Sequence, residues 1–133
     1  MSVTLAEAQK LAAAGIAKAE EMELKMTIAV VDEHGHPVLV HRMDGARWLT
    51  VDLTIAEAFT SAAFGRPGAE LKRLEDLPFF RAFANIHGGR PFAGLGSLTL
   101  TRNGVIEGVL SAGGAREEQD EVVAKAAVEA WEP

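Results

Sequence analysis

Cysteine and tyrosine are absent from this 133-residue chain. Without cysteine there is no disulfide framework, no thiolate zinc site, no iron–sulfur cluster and no cysteine nucleophile. Aromatics are sparse, two tryptophans and six phenylalanines, which leaves few platforms for stacking single-stranded bases. Positive charge is short as well: 13 Lys and Arg face 19 Asp and Glu, for a net charge of −6. A broad nucleic-acid or anionic-membrane surface is therefore not expected. No apolar run approaches the roughly 20 residues that span a bilayer. Met1-Ser2-Val3-Thr4 carries no basic stretch leading into an apolar one, so no secretory signal is expected. These absences point to a cytoplasmic protein with neither a membrane nor a nucleic-acid partner. Signature motifs are missing too. There is no G-x-G-x-x-G and no Walker lysine motif, and Ser111 is no nucleophile elbow because Val109 stands where that turn needs glycine.

What is present is the balance of an ordinary globular domain, 48% apolar and 24% charged. The length suits one domain over residues 1–133. Thr4 with Glu7 fits a capping box, and Leu5, Ala8, Leu11, Ala12, Ile16, Ala19 and Met22 recur at helical spacing. The alanines let such a helix approach a packed layer or a subunit interface closely. Met26–Asp32 reads as a central strand, Glu33-His34-Gly35-His36 as a turn, and Pro37–Met43 as the returning strand.

A second helix is expected from about Arg47 to Phe64, with Val51, Ile55, Ala58, Phe59 and Ala62 as its buried stripe. Short helical pieces follow near Ala69–Glu75 and Pro78–Ala84. Leu98–Thr101 and Val105–Ser111 are strands joined across Asn103-Gly104, the favoured type I′ pair. A last helix begins near Glu117, where Glu117, Glu118 and Asp120 suit its positive end. Consecutive strands joined by tight turns must be antiparallel, so this order gives an antiparallel sheet with helices packed on it.

Candidate chemistry falls in five places. His34, His36 and His41 with Asp32 and Glu33 suggest a metal cluster at first sight, but strand alternation puts His36 and His41 on opposite faces, and the reading is a solvated hairpin tip. His87-Gly88-Gly89-Arg90-Pro91 is either a tight turn or a ligand loop, since paired glycines let backbone approach a ligand between an imidazole and a guanidinium. Ser111-Ala112-Gly113-Gly114 runs into a helix N-terminus, where free amides receive an anion. Arg42 and Asp44 either pair with each other or place Arg42 against an anionic ligand, while Met43 is core filler or a soft ligand for haem iron. Glu57, Thr60 and Ser61 share one side of the second helix, most simply a solvated one.

Four of these strings, Val30-Val31-Asp32-Glu33-His34-Gly35, Arg42-Met43-Asp44-Gly45-Ala46, Gly88-Gly89-Arg90-Pro91 and Ser111-Ala112-Gly113-Gly114 ahead of Gln119-Asp120, occur in one order. That order resembles the GlcG/HbpS family, a haem-degrading or haem-binding domain also found at the C-terminus of certain corrinoid adenosyltransferases. The resemblance implies an α/β (α+β) fold: a three-layer helix–sheet–helix sandwich around a five-stranded antiparallel sheet, profilin-like. It also implies homo-oligomers, often octamers, with alanine-rich helices packed between subunits. The chain departs from the family pattern at Glu57, where the second helix usually carries a lysine, and in having no histidine in the first helix.

The function expected on this basis is an oligomeric small-ligand-binding protein, with haem or iron as the cofactor or ligand. Its binding residues would be Arg42, Met43, Asp44, Thr60, Gly88, Gly89, Arg90, Ser111 and Gly113. The alternative is a small cofactor-independent enzyme that moves a proton on an organic-acid intermediate, with Glu57 and His87 catalytic and Arg42 as anion anchor. A regulatory partner protein is the third reading.

Overall fold

The computed structural model describes all of residues 1–133. Its elements run α1 (Leu5–Glu21), β1 (Thr27–Asp32), β2 (Pro37–Arg42), α2 (Leu49–Phe64), α3 (Gly68–Lys72), α4 (Pro78–Ile86), β3 (Ser97–Arg102), β4 (Val105–Gly113) and α5 (Glu117–Val128). No helix is long and apolar enough to cross a membrane.

Two hairpins make one antiparallel sheet in the order β2-β1-β4-β3. The sheet has four strands, not the five that the resemblance implied. The reason is in the connections. The chain between α2 and β3 folds into α3 and α4, and the N-terminal extension makes one backbone bond to β4 where that strand runs past β1, Val3 N–H to Glu107 O at 2.8 Å, rather than a ladder. At the β3–β4 turn Asn103 and Gly104 take φ of +53° and +77°, the left-handed pair that a type I′ turn requires.

α1 and α5 cover one face of the sheet and α2 covers the other. The α1 cap forms as its sequence implies: Glu7 N–H donates to Thr4 Oγ1 and Thr4 N–H donates to Glu7 Oε1. Ala8, Ala12 and Ala19 of α1 and Ala124 and Ala127 of α5 are fully buried within the chain. The alanines thus serve the contact of the two helices with each other and with the sheet. At Gly15 a Cβ would press on Ile28 and Ala127, at 3.0 and 3.2 Å. Leu11, Ile28, Val30, Leu100, Leu110 and Val123 fill this side. Burying each such aliphatic side chain is worth roughly 1.5–3 kcal/mol, so this face anchors the fold.

The α2 face is built differently. The apolar stripe expected of α2 is not its buried side: Thr50, Thr54, Ala56, Glu57, Ala58, Thr60 and Ser61 are buried, and Val51, Ile55, Phe59 and Ala62 are only half-covered. Pairing explains the reversal. Thr50 bonds Thr27 (2.8 Å), Ser61 bonds Ser97 (2.6 Å), and Ser111 donates to Glu57 Oε2 (2.8 Å), so most of the polar groups facing the sheet are paired, Thr54 excepted. Phe59 and Phe64 are instead stacked against Phe80 and Phe83 of α4. Glu57, Thr60 and Ser61 are therefore an interior face of α2, and the solvated reading of them is overturned.

Candidate functional site

Glu57 sits where α2 crosses the C-terminal half of β4. Its side chain is 5% exposed, and Ser111 anchors one carboxylate oxygen. Glu57 lines a cavity of about 410 Å³. Thr50 and Thr54 of α2, Gly113 at the end of β4 with Gly114 just beyond it, and Asp120 of α5 form its polar wall, with Leu49, Leu53 and Phe92 on the apolar side and Arg47 at the rim. Asp120, also 5% exposed, accepts from Ala115 N–H at 3.0 Å. Burial lifts the Glu57 carboxyl to about 8 against the opposing pull of the Ser111 hydroxyl, and the negative charges of Asp120 and Glu117 act in the same direction. Burial also raises Asp120, to about 7, against the Ala115 amide and with help from Glu117 and Glu118. Both groups therefore change charge near neutrality.

At the anion site expected at the Ser111–Gly114 turn the chain itself takes two of the amides. Asp120 occupies the Ala115 amide, and Gln119 Oε1 accepts from Arg116 N–H. Thr60 is spent on structure: its hydroxyl donates to Ala56 O (2.8 Å) and accepts from Phe92 N–H (3.0 Å).

Arg42, Met43 and Asp44 lie elsewhere, at the free edge of the sheet. With His41, Val40, Lys25 and the α1 residues Ile16 and Glu20 they line an open cavity of about 640 Å³. Arg42 and Asp44 form no ion pair with each other, and Lys25 and Glu20 are equally uncommitted. The Met43 thioether accepts from Met26 N–H at 3.4 Å. Gly45, at φ +83°, turns the chain here, and its missing side chain leaves room for the Lys25 stem, since a Cβ would lie 2.7 Å from Lys25 Cδ. Strand alternation had set His41 aside as a hairpin histidine. The structure does separate it from His34 and His36, and it is the imidazole of this cavity.

His87-Gly88-Gly89-Arg90 closes α4 on the exposed surface and lines neither cavity. Gly88 and Gly89 take φ of +66° and +78° with open space around them. His87 packs on Phe83 and Phe59, and the Arg90 guanidinium lies 4.6 Å from the centre of the Phe59 ring. Glu57, His87 and Arg42 therefore do not share one pocket. No group of three or more His, Asp or Glu side chains is placed to hold a metal ion.

The architecture is that of a small α+β domain offering one acidic interior cavity and one open, mixed-charge cavity at a sheet edge. The family model described as "Haem degrading protein HbpS-like" matches residues 3–129, and the chain belongs to that family. It is 29% identical over 140 residues to corrinoid adenosyltransferase PduO of Citrobacter freundii, covering 98% of this chain and 39% of that protein. The crystal structure of HbpS superposes with a TM-score of 0.87 at 27% identity, covering 100% of this chain and 92% of the other. The structure of a PduOC:heme complex superposes with a TM-score of 0.88 at 23% identity, over 98% and 95% of the two chains, which supports the shared fold.

Proposed function

We propose that the chain is a haem-binding protein whose ligand, haem or a planar acid of similar size, is held at the sheet-edge cavity. The observation that carries this reading is the donor set gathered there: one imidazole, His41, beside two cations without ion-pair partners, Lys25 and Arg42. An imidazole suits iron, and cations suit the propionates of a porphyrin. The volume of about 640 Å³ lies within the roughly 300–1,000 Å³ of small-molecule sites. Ile16 and Val40 supply apolar wall for the ring. His41 is the iron donor of choice because the Met43 sulfur already receives the Met26 amide. Haem bound there supplies a redox-active iron, and the chain's part is to hold and orient it. Family membership over residues 3–129 supports the ligand class. The acidic cavity fits the ligand poorly, since Glu117 and the ionised forms of Glu57 and Asp120 would repel propionates. Assembly into homo-oligomers belongs to the same reading, and light scattering on the purified protein reads it directly.

The test is a haemin titration followed by visible spectrum. The expected result is a saturable, shifted Soret band in the wild type that is lost in His41→Ala and retained in His87→Ala. An unchanged band in His41→Ala would move the iron donor elsewhere, and no saturable band at all would end the haem reading.

A further inference from the structure

We infer that the cavity beneath α2 is a second binding site, for a small organic cation whose ammonium group pairs with Glu57 and Asp120 while its carbon skeleton lies against Leu53 and Phe92. This goes beyond the haem reading and does not depend on it.

Three observations carry the inference. First, glycines at and behind the cavity wall make room for its polar groups. A Cβ at Gly94 would collide with Glu57 Oε1, one at Gly113 with the Thr54 hydroxyl, and one at Gly96 would sit 3.0 Å from Asp120 Cβ. Second, Thr54 lines the cavity, and its Oγ1 is fully buried against Gly113 without any hydrogen-bond partner. A buried hydroxyl left in this way is costly unless a ligand or water completes it. Third, acceptor capacity is left over. Ser111 serves Glu57 Oε2 and the Ala115 amide serves Asp120 Oδ1, while Glu57 Oε1 and Asp120 Oδ2 receive no protein donor.

The charges around these groups select the ligand. Glu57 faces Asp120 and Glu117 of α5, with Glu118 beside Asp120. The nearby Lys72 of α3 is committed to Glu117 at 3.2 Å and Glu75 at 3.6 Å. Arg47, at the exposed rim, is the remaining cation. An anion would meet carboxylates at the end of the cavity and find the Ala115 and Arg116 amides ahead of α5 already occupied. A bare metal ion lacks its ligands, because no three carboxylates or imidazoles converge. The volume of about 410 Å³ with Leu49, Leu53 and Phe92 on one wall fits an organic skeleton. An aromatic face beside carboxylates is a favourable setting for an ammonium group. Binding such a cation requires the carboxyls to be ionised, so it displaces protons at neutral pH.

The test titrates the ¹⁵N-labelled full chain with n-butylammonium chloride, and in parallel with butan-1-ol and sodium butyrate. Amide shifts are followed at Gly113, Gly114 and Ala115. Saturable shifts are expected with butylammonium alone, with affinity rising by about tenfold or more from pH 6 to pH 7 as protons are displaced. Glu57→Gln should weaken the affinity at least tenfold. If that variant does not fold, Asp120→Asn carries the same expectation. Saturation by butyrate or butanol in place of butylammonium would overturn the proposal. So would an affinity unchanged in the folded variants, or no saturable shift with any of the three.

Discussion

The two cavities of this domain are opposites in chemistry and in how they are built. The one at the sheet edge is open, mixed in charge and includes side chains without ion-pair partners, such as Arg42 and Lys25. The one beneath α2 is made of buried groups that also hold the fold, such as Glu57 against Ser111 and Thr50 against Thr27. The difference teaches where function and stability are separable. At the edge a residue can change and alter binding alone. Beneath α2 any change in binding chemistry is also a change in packing, charge burial and response to pH.

Gly68→Ala should have the largest effect. Its Cβ would collide with the Gly94 carbonyl and lie 2.7 Å from Ser97 Oγ, so backbone must move where α3 meets the wall made by Gly94 and Ser97. A loss of about 1–3 kcal/mol or more is expected in urea denaturation. A loss near zero would mean that the wall is softer than the structure shows.

The pH response comes next. Glu57 and Asp120 are raised to about 8 and about 7 in the folded state. The folded chain therefore keeps protons that the unfolded chain has released above its ordinary carboxyl pKa, near 4. Stability from these groups is whole below that value and is lost as pH rises toward 7 to 8, at up to about 1.4 kcal/mol per pH unit for each group. Thermal unfolding from pH 5 to pH 8 should show a falling midpoint in the wild type. Glu57→Gln should flatten the fall and be the more stable protein at pH 8. A parallel pair of curves would show that Glu57 ionises freely.

Thr54→Val replaces an unpartnered buried hydroxyl by a methyl of the same shape. It should be neutral or stabilising by about 1 kcal/mol at most, checked by the same denaturation. A clear loss would mean that the hydroxyl has a partner in solution. Arg42→Ala should give the smallest change in stability, within about 0.5 kcal/mol, while weakening haemin on the order of tenfold.

Much of the architecture was legible because its signals are local. The Thr4–Glu7 box, the Asn103-Gly104 turn and the doubly buried β1 are each set by residues within a few positions of one another. The fifth strand came from resemblance alone, and the residues themselves marked only two hairpins. The site was legible in part. Glu57, Ser111 and Gly113 were candidates for separate reasons, and the structure brings all three to the same part of the molecule.

What misled was the side of α2. Hydrophobic periodicity marks an apolar face without saying what covers it, and here α4 covers Phe59 and Phe64 while the sheet takes the polar face. Thr54 had no sequence signal, since a buried threonine and an exposed one look alike in a helix. Asp120 was read as a helix-end charge, and it does bond an amide just ahead of the helix, but its burial depends on residues over 50 positions away. Arg42 and His87 were placed with Glu57 by chemistry alone. Chain separation carries no information about which side of a sheet a loop reaches.

The central claim is that haem is held by the sheet-edge cavity and not by the acidic one. The direct measurement is a haemin titration of Arg42→Ala and Glu57→Gln beside the wild type. The account predicts roughly tenfold weaker binding in Arg42→Ala and an affinity within about twofold of wild type in Glu57→Gln. Unchanged binding in Arg42→Ala together with a large change in Glu57→Gln would contradict it.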